Sequence, residues 1–165
     1  MMIFRYWFWV IGILSMAAIS SALIAEYIFY LEPCSMCLKQ RHPYYFILAI
    51  FILFGMILPL RRIWFYLGVQ LACIYGLFYS IWHVGIEKKI LPGPTSCSGE
   101  LNFSNSAENL KEQIMAKAVI NCEDVIWSFI GVSAATINTL LLLLIFIVNA
   151  IYLKKYYASK KNAAS

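Results

Sequence analysis

Four stretches of this chain contain no Asp, Glu, Lys or Arg: Tyr6–Ala25, Pro43–Leu60, Ile63–Ile86 and Val125–Leu153. Nothing else in the sequence limits the fold as sharply. A helix needs about 20 apolar residues to cross a hydrocarbon layer of roughly 30 Å. All four stretches are long enough, the second being the shortest. In lipid, the backbone N–H and C=O groups must pair internally, which favours helix over open strand. A β-barrel would require many alternating segments of about ten residues, a pattern the sequence does not show. The expected fold is an all-α membrane protein. It is a single domain over 1–165, a four-helix transmembrane bundle with spans at about 6–25, 43–60, 63–86 and 125–153 and two extracytoplasmic loops. Composition agrees. Of 165 residues, 62% are hydrophobic and 13% charged, with mean hydropathy +0.76. A soluble domain runs near half apolar and a quarter charged.

The first stretch exceeds the usual apolar region of a signal peptide, about 7–15 residues, and no clean A-x-A site follows Ser20, Ser21 and Ala22. It reads as a retained span. Four spans put both termini on one side. That side carries Arg5, Arg61, Arg62, Lys154, Lys155, Lys160 and Lys161, and no acid. The other side carries Lys39, Arg41, Lys88, Lys89, Lys111 and Lys117 together with Glu32, Glu87, Glu100, Glu108, Glu112, Glu123 and Asp124. Cytoplasmic loops collect Lys and Arg. Both termini are therefore expected in the cytoplasm, and the loops near 26–42 and 87–124 outside. The net charge of +5 is then a topology signal that requires no nucleic acid.

Of the five cysteines, Cys34 and Cys37 fall in the first outer loop, Cys97 and Cys122 in the second, and Cys73 within a span. Two pairs on the oxidising side is the distribution that disulfide chemistry requires. Cys34-Ser35-Met36-Cys37 is a C-x-x-C, a spacing often redox-active, placed where the second span begins. Helix N–H groups and a nearby cation stabilise a thiolate there. Arg41 lies one turn beyond Cys37 if the helix already runs, but Pro43 disfavours helix at His42. A zinc site joining this pair to Cys97 and Cys122 is an alternative. Structural zinc usually draws on two close pairs, and these two are 25 positions apart, so no metal is expected. Purely structural disulfides are a second alternative. A membrane bundle gains little from such staples, and C-x-x-C rings tend to be labile. Cys73 reads as an inert apolar residue.

The second outer loop opens with a Pro/Gly turn at Leu91-Pro92-Gly93-Pro94. Asn105 and Glu108 resemble a capping box, and Leu110, Ile114 and Ala118 then recur at helical spacing, so a short amphipathic helix is expected there. Glu26 is a lone acid near the outer end of the first span, a functional suspect by default. His83 stands at the outer end of the third span, near the level expected for Arg41, and is a stronger candidate than His42. The basic tail from Lys154 serves topology.

These residues resemble the DsbB family of membrane thiol oxidases, over about Ala22 to Asn138. The first block is Glu32-Pro33-Cys34-Ser35-Met36-Cys37-Leu38-Lys39-Gln40-Arg41. The second is Trp82-His83-Val84-Gly85-Ile86-Glu87, followed by Gly93-Pro94-Thr95-Ser96-Cys97. The third is Cys122-Glu123-Asp124-Val125-Ile126-Trp127, leading to Gly131 and Asn138. Relatives of vitamin K epoxide reductase place their C-x-x-C after the loop cysteines, whereas here it comes first. The resemblance implies a bacterial inner-membrane protein with periplasmic redox loops. It implies a Cys97–Cys122 disulfide attacked, at Cys97, by a reduced DsbA-like thioredoxin-fold protein. Electrons would pass to Cys34–Cys37 through a Cys34–Cys122 bond, and Cys37 would meet a membrane quinone, ubiquinone or menaquinone. Arg41 would steady the thiolate or the quinone oxygen, with His83 at the ring. Glu26 is a departure, since the family often carries a neutral polar residue there. If it lines the quinone site, its charge alters quinone preference.

Two other classes compete. A small transporter predicts charges or broken helices at mid-membrane, and Glu26 is the one candidate. A haem carrier would use His42 and His83, which both fall at the outer rim.

Overall fold

The computed structural model describes residues 2–57, 62–94, 122, 125, 127–129 and 131–162. Most of them lie in four long helices. α1 spans Met2–Tyr27, α2 Ser35–Ile52, α3 Arg62–Glu87 and α4 Ala134–Asn162. A π-helical turn, Leu53–Ile57, continues α2. Before α4 a two-stranded antiparallel hairpin pairs β1 (Ser128–Phe129) with β2 (Val132–Ser133), Ser128 opposite Ser133. Among the described residues, three helical segments are long and apolar enough to cross a membrane: Tyr6–Tyr27, Ile63–Glu87 and Ala134–Asn162. This is a helical membrane protein. α2 falls outside that group, because Lys39, Gln40, Arg41 and His42 dilute the apolar character of its first half.

α1 and α3 lie within a few residues of the expected spans. The other two helices differ for local reasons. α2 starts at Ser35, well before Pro43, because Cys34 caps it. Cys34 is extended (φ −68, ψ 167), and its Sγ accepts the N–H of Cys37. Ser, Thr, Asp and Asn are the usual caps, so a cysteine gives a faint sequence signal. The helix continues through Pro43, which cannot donate a backbone bond. Pro43 packs on α3 at Gly76. A Cβ on Gly76 would stand 2.9 Å from Pro43 Cγ and 2.8 Å from Leu142 Cδ1, so α2, α3 and α4 converge there.

The expected fourth span began at Val125, but helix begins at Ala134 and persists to Asn162. Gly131, at φ +77, turns the hairpin in a region L side chains rarely enter. Ser133 then caps α4, its Oγ accepting Thr136 N–H at 3.2 Å and its O–H bonding Glu87 Oε2 at 2.5 Å. The carboxylate of Glu87, at the end of α3, thus sits at the positive end of α4.

α3 packs on both α2 and α4, and α1 packs on α2. The larger core holds Phe8, Ile47, Phe65, Val69, Leu142 and Ile145. Phe8 stacks on Phe51 with centroids 4.6 Å apart. Cys73 is fully buried in this core. Ile13, Leu71, Phe78, Leu140 and Leu144 face outward, a surface that lipid can solvate where water would not. A second, smaller buried cluster contains Cys34, Met36, Ile86 and Cys122, with Cys37, Tyr79 and Trp82 packed against it.

Candidate active site

The smaller cluster lies where α2 begins and α3 ends. Cys34 and Cys37 are free thiols, and the Sγ atoms are 2.9 Å apart. Cys34 is 2% exposed, while Cys37 is partly open. The N–H of Cys37 also reaches Cys34 Sγ, at 3.2 Å. His83, only 4% exposed, brings Nε2 to 3.7 Å from Cys34 Sγ. The thiol of Cys34 is pushed down to about 4, chiefly by the S–H of Cys37 and then by the His83 bond and the Cys37 N–H, against the opposing effect of burial. Cys37 is shifted upward, because its proton is held on Cys34, because burial disfavours its charge, and because Cys34 is negative. The contacts of Cys34 Sγ with the Cys37 N–H and with His83 favour the charge on Cys34 over Cys37.

Behind His83 runs a chain of buried polar side chains. Gln40 Nε2 donates to His83 Nδ1 at 2.8 Å. Asn138 Nδ2 donates to Gln40 Oε1 at 3.1 Å and to Ser80 Oγ at 3.1 Å. Tyr44 O–H donates to Asn138 Oδ1 at 2.6 Å, and Ser80 Oγ bonds Thr139 Oγ1 at 2.7 Å. The chain joins α2, α3 and α4. Sequence reasoning assigned no role to Gln40, Tyr44, Ser80, Asn138 or Thr139. A weak signal was present, because each is a polar side chain in or next to an apolar helix, where it must find an internal partner. Pairing over such separations cannot be read from spacing.

Arg41 lies one turn beyond Cys37, as the helix now requires. Its guanidinium pairs with Glu26 and donates to Ala22 O at 3.3 Å. Glu26 therefore anchors α1 to α2. Cys122 is buried and disulfide-bonded, with Ser35 Oγ 3.9 Å from its sulfur. The structure thus brings Cys34, Cys37, His83 and Cys122 together, with Arg41 and Glu26 one turn along α2. Cys97 and the amphipathic helix expected near 105–118 lie outside the described residues. His42 is exposed, with Nδ1 3.5 Å from Tyr75 O–H, away from the His83 chain.

Ligand atoms of Cys34, Cys37 and His83 lie within 4.8 Å of one another, as a metal site would require. Two features favour thiol chemistry instead. Thiolates sharing a tetrahedral zinc at 2.3 Å stand about 3.8 Å apart, whereas these sulfurs are at 2.9 Å. His83 Nε2 also stands 3.7 Å from Cys34 Sγ, within hydrogen-bond reach of that sulfur.

The family profile described as Disulfide bond formation protein DsbB matches residues 4–152. The chain belongs to the DsbB family. DsbB proteins act in membrane disulfide-bond formation, and a thiol oxidoreductase is what this cysteine cluster is equipped to be. Among relatives, the uncharacterized protein RP370 of Rickettsia prowazekii (strain Madrid E) is 27% identical over 130 residues, covering 78% of this chain and 75% of its own. No solved structure matches the chain.

Proposed function

We propose that this DsbB-family chain reoxidises a DsbA-like thioredoxin-fold protein and passes the electrons to a membrane quinone. One observation carries the reading: the Cys34 and Cys37 sulfurs are 2.9 Å apart at a helix N-terminus, in one buried cluster with the disulfide-bonded Cys122. The partner's thiolate attacks a Cys97–Cys122 disulfide at Cys97, releasing Cys122 as a thiolate. Cys122 then attacks the oxidised inner pair at Cys34, and Cys37 leaves. Closure of Cys97 and Cys122 with the partner resolved leaves Cys34 and Cys37 reduced, the state seen here for that pair. Oxidation of Cys34 and Cys37 to a disulfide then gives up two electrons and the one proton of Cys37, and so needs a two-electron acceptor.

A bound quinone would supply that two-electron acceptor, its reduction taking up the Cys37 proton and a second one from solvent. The side chains around Cys37 suit such a molecule. Partly open Cys37 packs against the same buried cluster as Tyr79 and Trp82, whose rings lie 21° from parallel at 6.4 Å, and flat rings favour offset stacking. Arg41 supplies a cation that steadies charge at Cys37. His83 donates toward Cys34, and Glu26 holds Arg41 in place.

The site stands at the start of α2 and α4 and the end of α3, while Lys160 and Lys161 close the far end of α4. That supports a bacterial inner-membrane placement, with the cysteines periplasmic, the basic ends cytoplasmic, and α2 with its π turn as a fourth span. The test is quinone reduction by the purified protein in detergent, with a reduced thioredoxin-fold oxidase as donor. Turnover that needs both donor and quinone supports the reading. Absence of turnover from protein with its four outer cysteines intact overturns it.

A further inference from the structure

We propose that Gln40 is a positioning residue, which fixes the His83 imidazole with its proton on Nε2 and aims that N–H at Cys34 Sγ. The role rests on the oxidase reading for its purpose, but the geometry stands on its own.

The polarity of the chain is set at its far end. Tyr44 is 3% exposed, and its O–H, which has one proton to give, gives it to Asn138 Oδ1 at 2.6 Å. A buried hydroxyl proton without an acceptor is costly, so Asn138 is held with its oxygen toward Tyr44. Its Nδ2 then faces Gln40 Oε1 and Ser80 Oγ. Gln40, 7% exposed, is held in turn with its Nε2 toward His83 Nδ1. An amide N–H can only be received by a lone pair, so Nδ1 carries none of the ring's protons. Nε2 carries the proton, and it is the nitrogen 3.7 Å from Cys34 Sγ. A histidine ring turned over, or protonated at Nδ1, would oppose the Gln40 donor and lose the chain.

Among the described residues, the titratable groups facing Cys34 are Cys37 from α2 and His83 from α3. Cys122 is disulfide-bonded and does not titrate. Arg41 acts on Cys37 and is paired with Glu26 of α1, and Asn138 of α4 is neutral.

The first test is nitrogen NMR of the reduced protein in detergent with labelled histidine. The chain has two histidines, and a His42→Asn variant assigns the remaining signals to His83. In the parent protein His83 shows Nδ1 unprotonated and hydrogen-bonded, with the proton on Nε2. In Gln40→Glu a carboxylate faces Nδ1, and Nδ1 becomes protonated. The second test is the pH midpoint of the Cys34 thiolate. Gln40→Leu raises it by about one unit, the loss of one hydrogen bond to a charged group. The same change in a His83→Phe background moves it no further, an outcome that a merely structural role would not give. Tyr44→Phe keeps the shape, removes the anchor, and shifts the midpoint in the same direction. A parent protein with Nδ1 protonated overturns the assignment, as does an additive Gln40→Leu shift in the His83→Phe background. Neither measurement uses donor or quinone. A chain that turns over no quinone but shows these shifts loses the oxidase reading and keeps the role of Gln40.

Discussion

His83 Nε2 lies 3.7 Å from Cys34 Sγ, joining residues 49 positions apart. The contact ties the end of α3 to the cap of α2. It places an N–H donor on the sulfur that also receives the backbone N–H of Cys37 and, in the ionised form that its lowered pKa favours, the S–H of Cys37. Three donors on one buried sulfur stabilise its anion in the way that hydrogen bonds to a charged form do.

The first prediction concerns pH. An unperturbed thiol is ionised only above about 8.5. Cys34 is lowered to about 4, so its thiolate is present through neutral pH and is lost as pH falls through that value. Ultraviolet thiolate absorbance of the reduced protein measures this directly. Cys34→Ser removes the low-pH transition, and His83→Phe moves it upward. Reduced protein with no thiolate at pH 6 contradicts the assignment.

The sequence made part of this arrangement legible. Charge-free stretches located α1 and α3 almost to their ends, because a lipid-facing helix must exclude charge along its whole length. The same rule does not locate two helix starts. The second charge-free run opens at Pro43, since Lys39 and Arg41 interrupt it, whereas Cys34 caps the helix before them. The rule began the fourth helix at Val125, since Val125–Ser133 is as apolar as the helix that follows. The Gly131 turn there was visible as a residue but not as a hairpin. Of the site, Cys34, Cys37, Cys122, His83, Arg41 and Glu26 were singled out from position and resemblance. Gln40 was passed over because its partners, His83 and Asn138, are 43 and 98 positions away.

The Glu26–Arg41 pair yields a second prediction. The two side chains are 24% and 12% exposed, so screening weakens the pair without abolishing it. Glu26→Gln leaves Arg41 half-buried and unpaired, and costs about 1–2 kcal/mol of stability in detergent unfolding. Glu26→Gln with Arg41→Gln recovers part of that loss, as a coupled pair should. On the oxidase reading Glu26→Gln also raises the KM for quinone, since Arg41 is no longer held one turn from Cys37. Unchanged stability in the single variant would contradict a formed pair.

Two glycines separate packing from backbone strain. Gly76→Ala drives a methyl to within 2.8 Å of Leu142 Cδ1 and 2.9 Å of Pro43 Cγ. Overpacking of this kind costs about 1–3 kcal/mol. Gly131→Ala meets nothing within 4 Å, but its φ of +77 is one L residues rarely adopt, at a cost of about 1 kcal/mol. Thermal unfolding of the two variants ranks Gly76→Ala as the more damaging. An equal or reversed order would mean that α2, α3 and α4 are less tightly joined at Gly76 than their geometry requires.

The last prediction divides the cysteines by role. Cys37 is partly open, pairs with Cys34, and packs against the same buried cluster as Tyr79 and Trp82. Cys73 is fully buried in the larger core, outside that cluster. Closing the inner disulfide requires the sulfur of Cys37 and cannot use that of Cys73. Cys37→Ser therefore abolishes quinone reduction while leaving the fold intact, since serine is nearly isosteric and its site is already partly polar. Cys73→Ser keeps activity and loses about 1–2 kcal/mol of stability, as a hydroxyl enters an apolar core. Steady-state quinone reduction with a reduced thioredoxin-fold donor, alongside unfolding of both variants, reads the two effects separately. A fully active Cys37→Ser protein would remove the inner pair from the electron path.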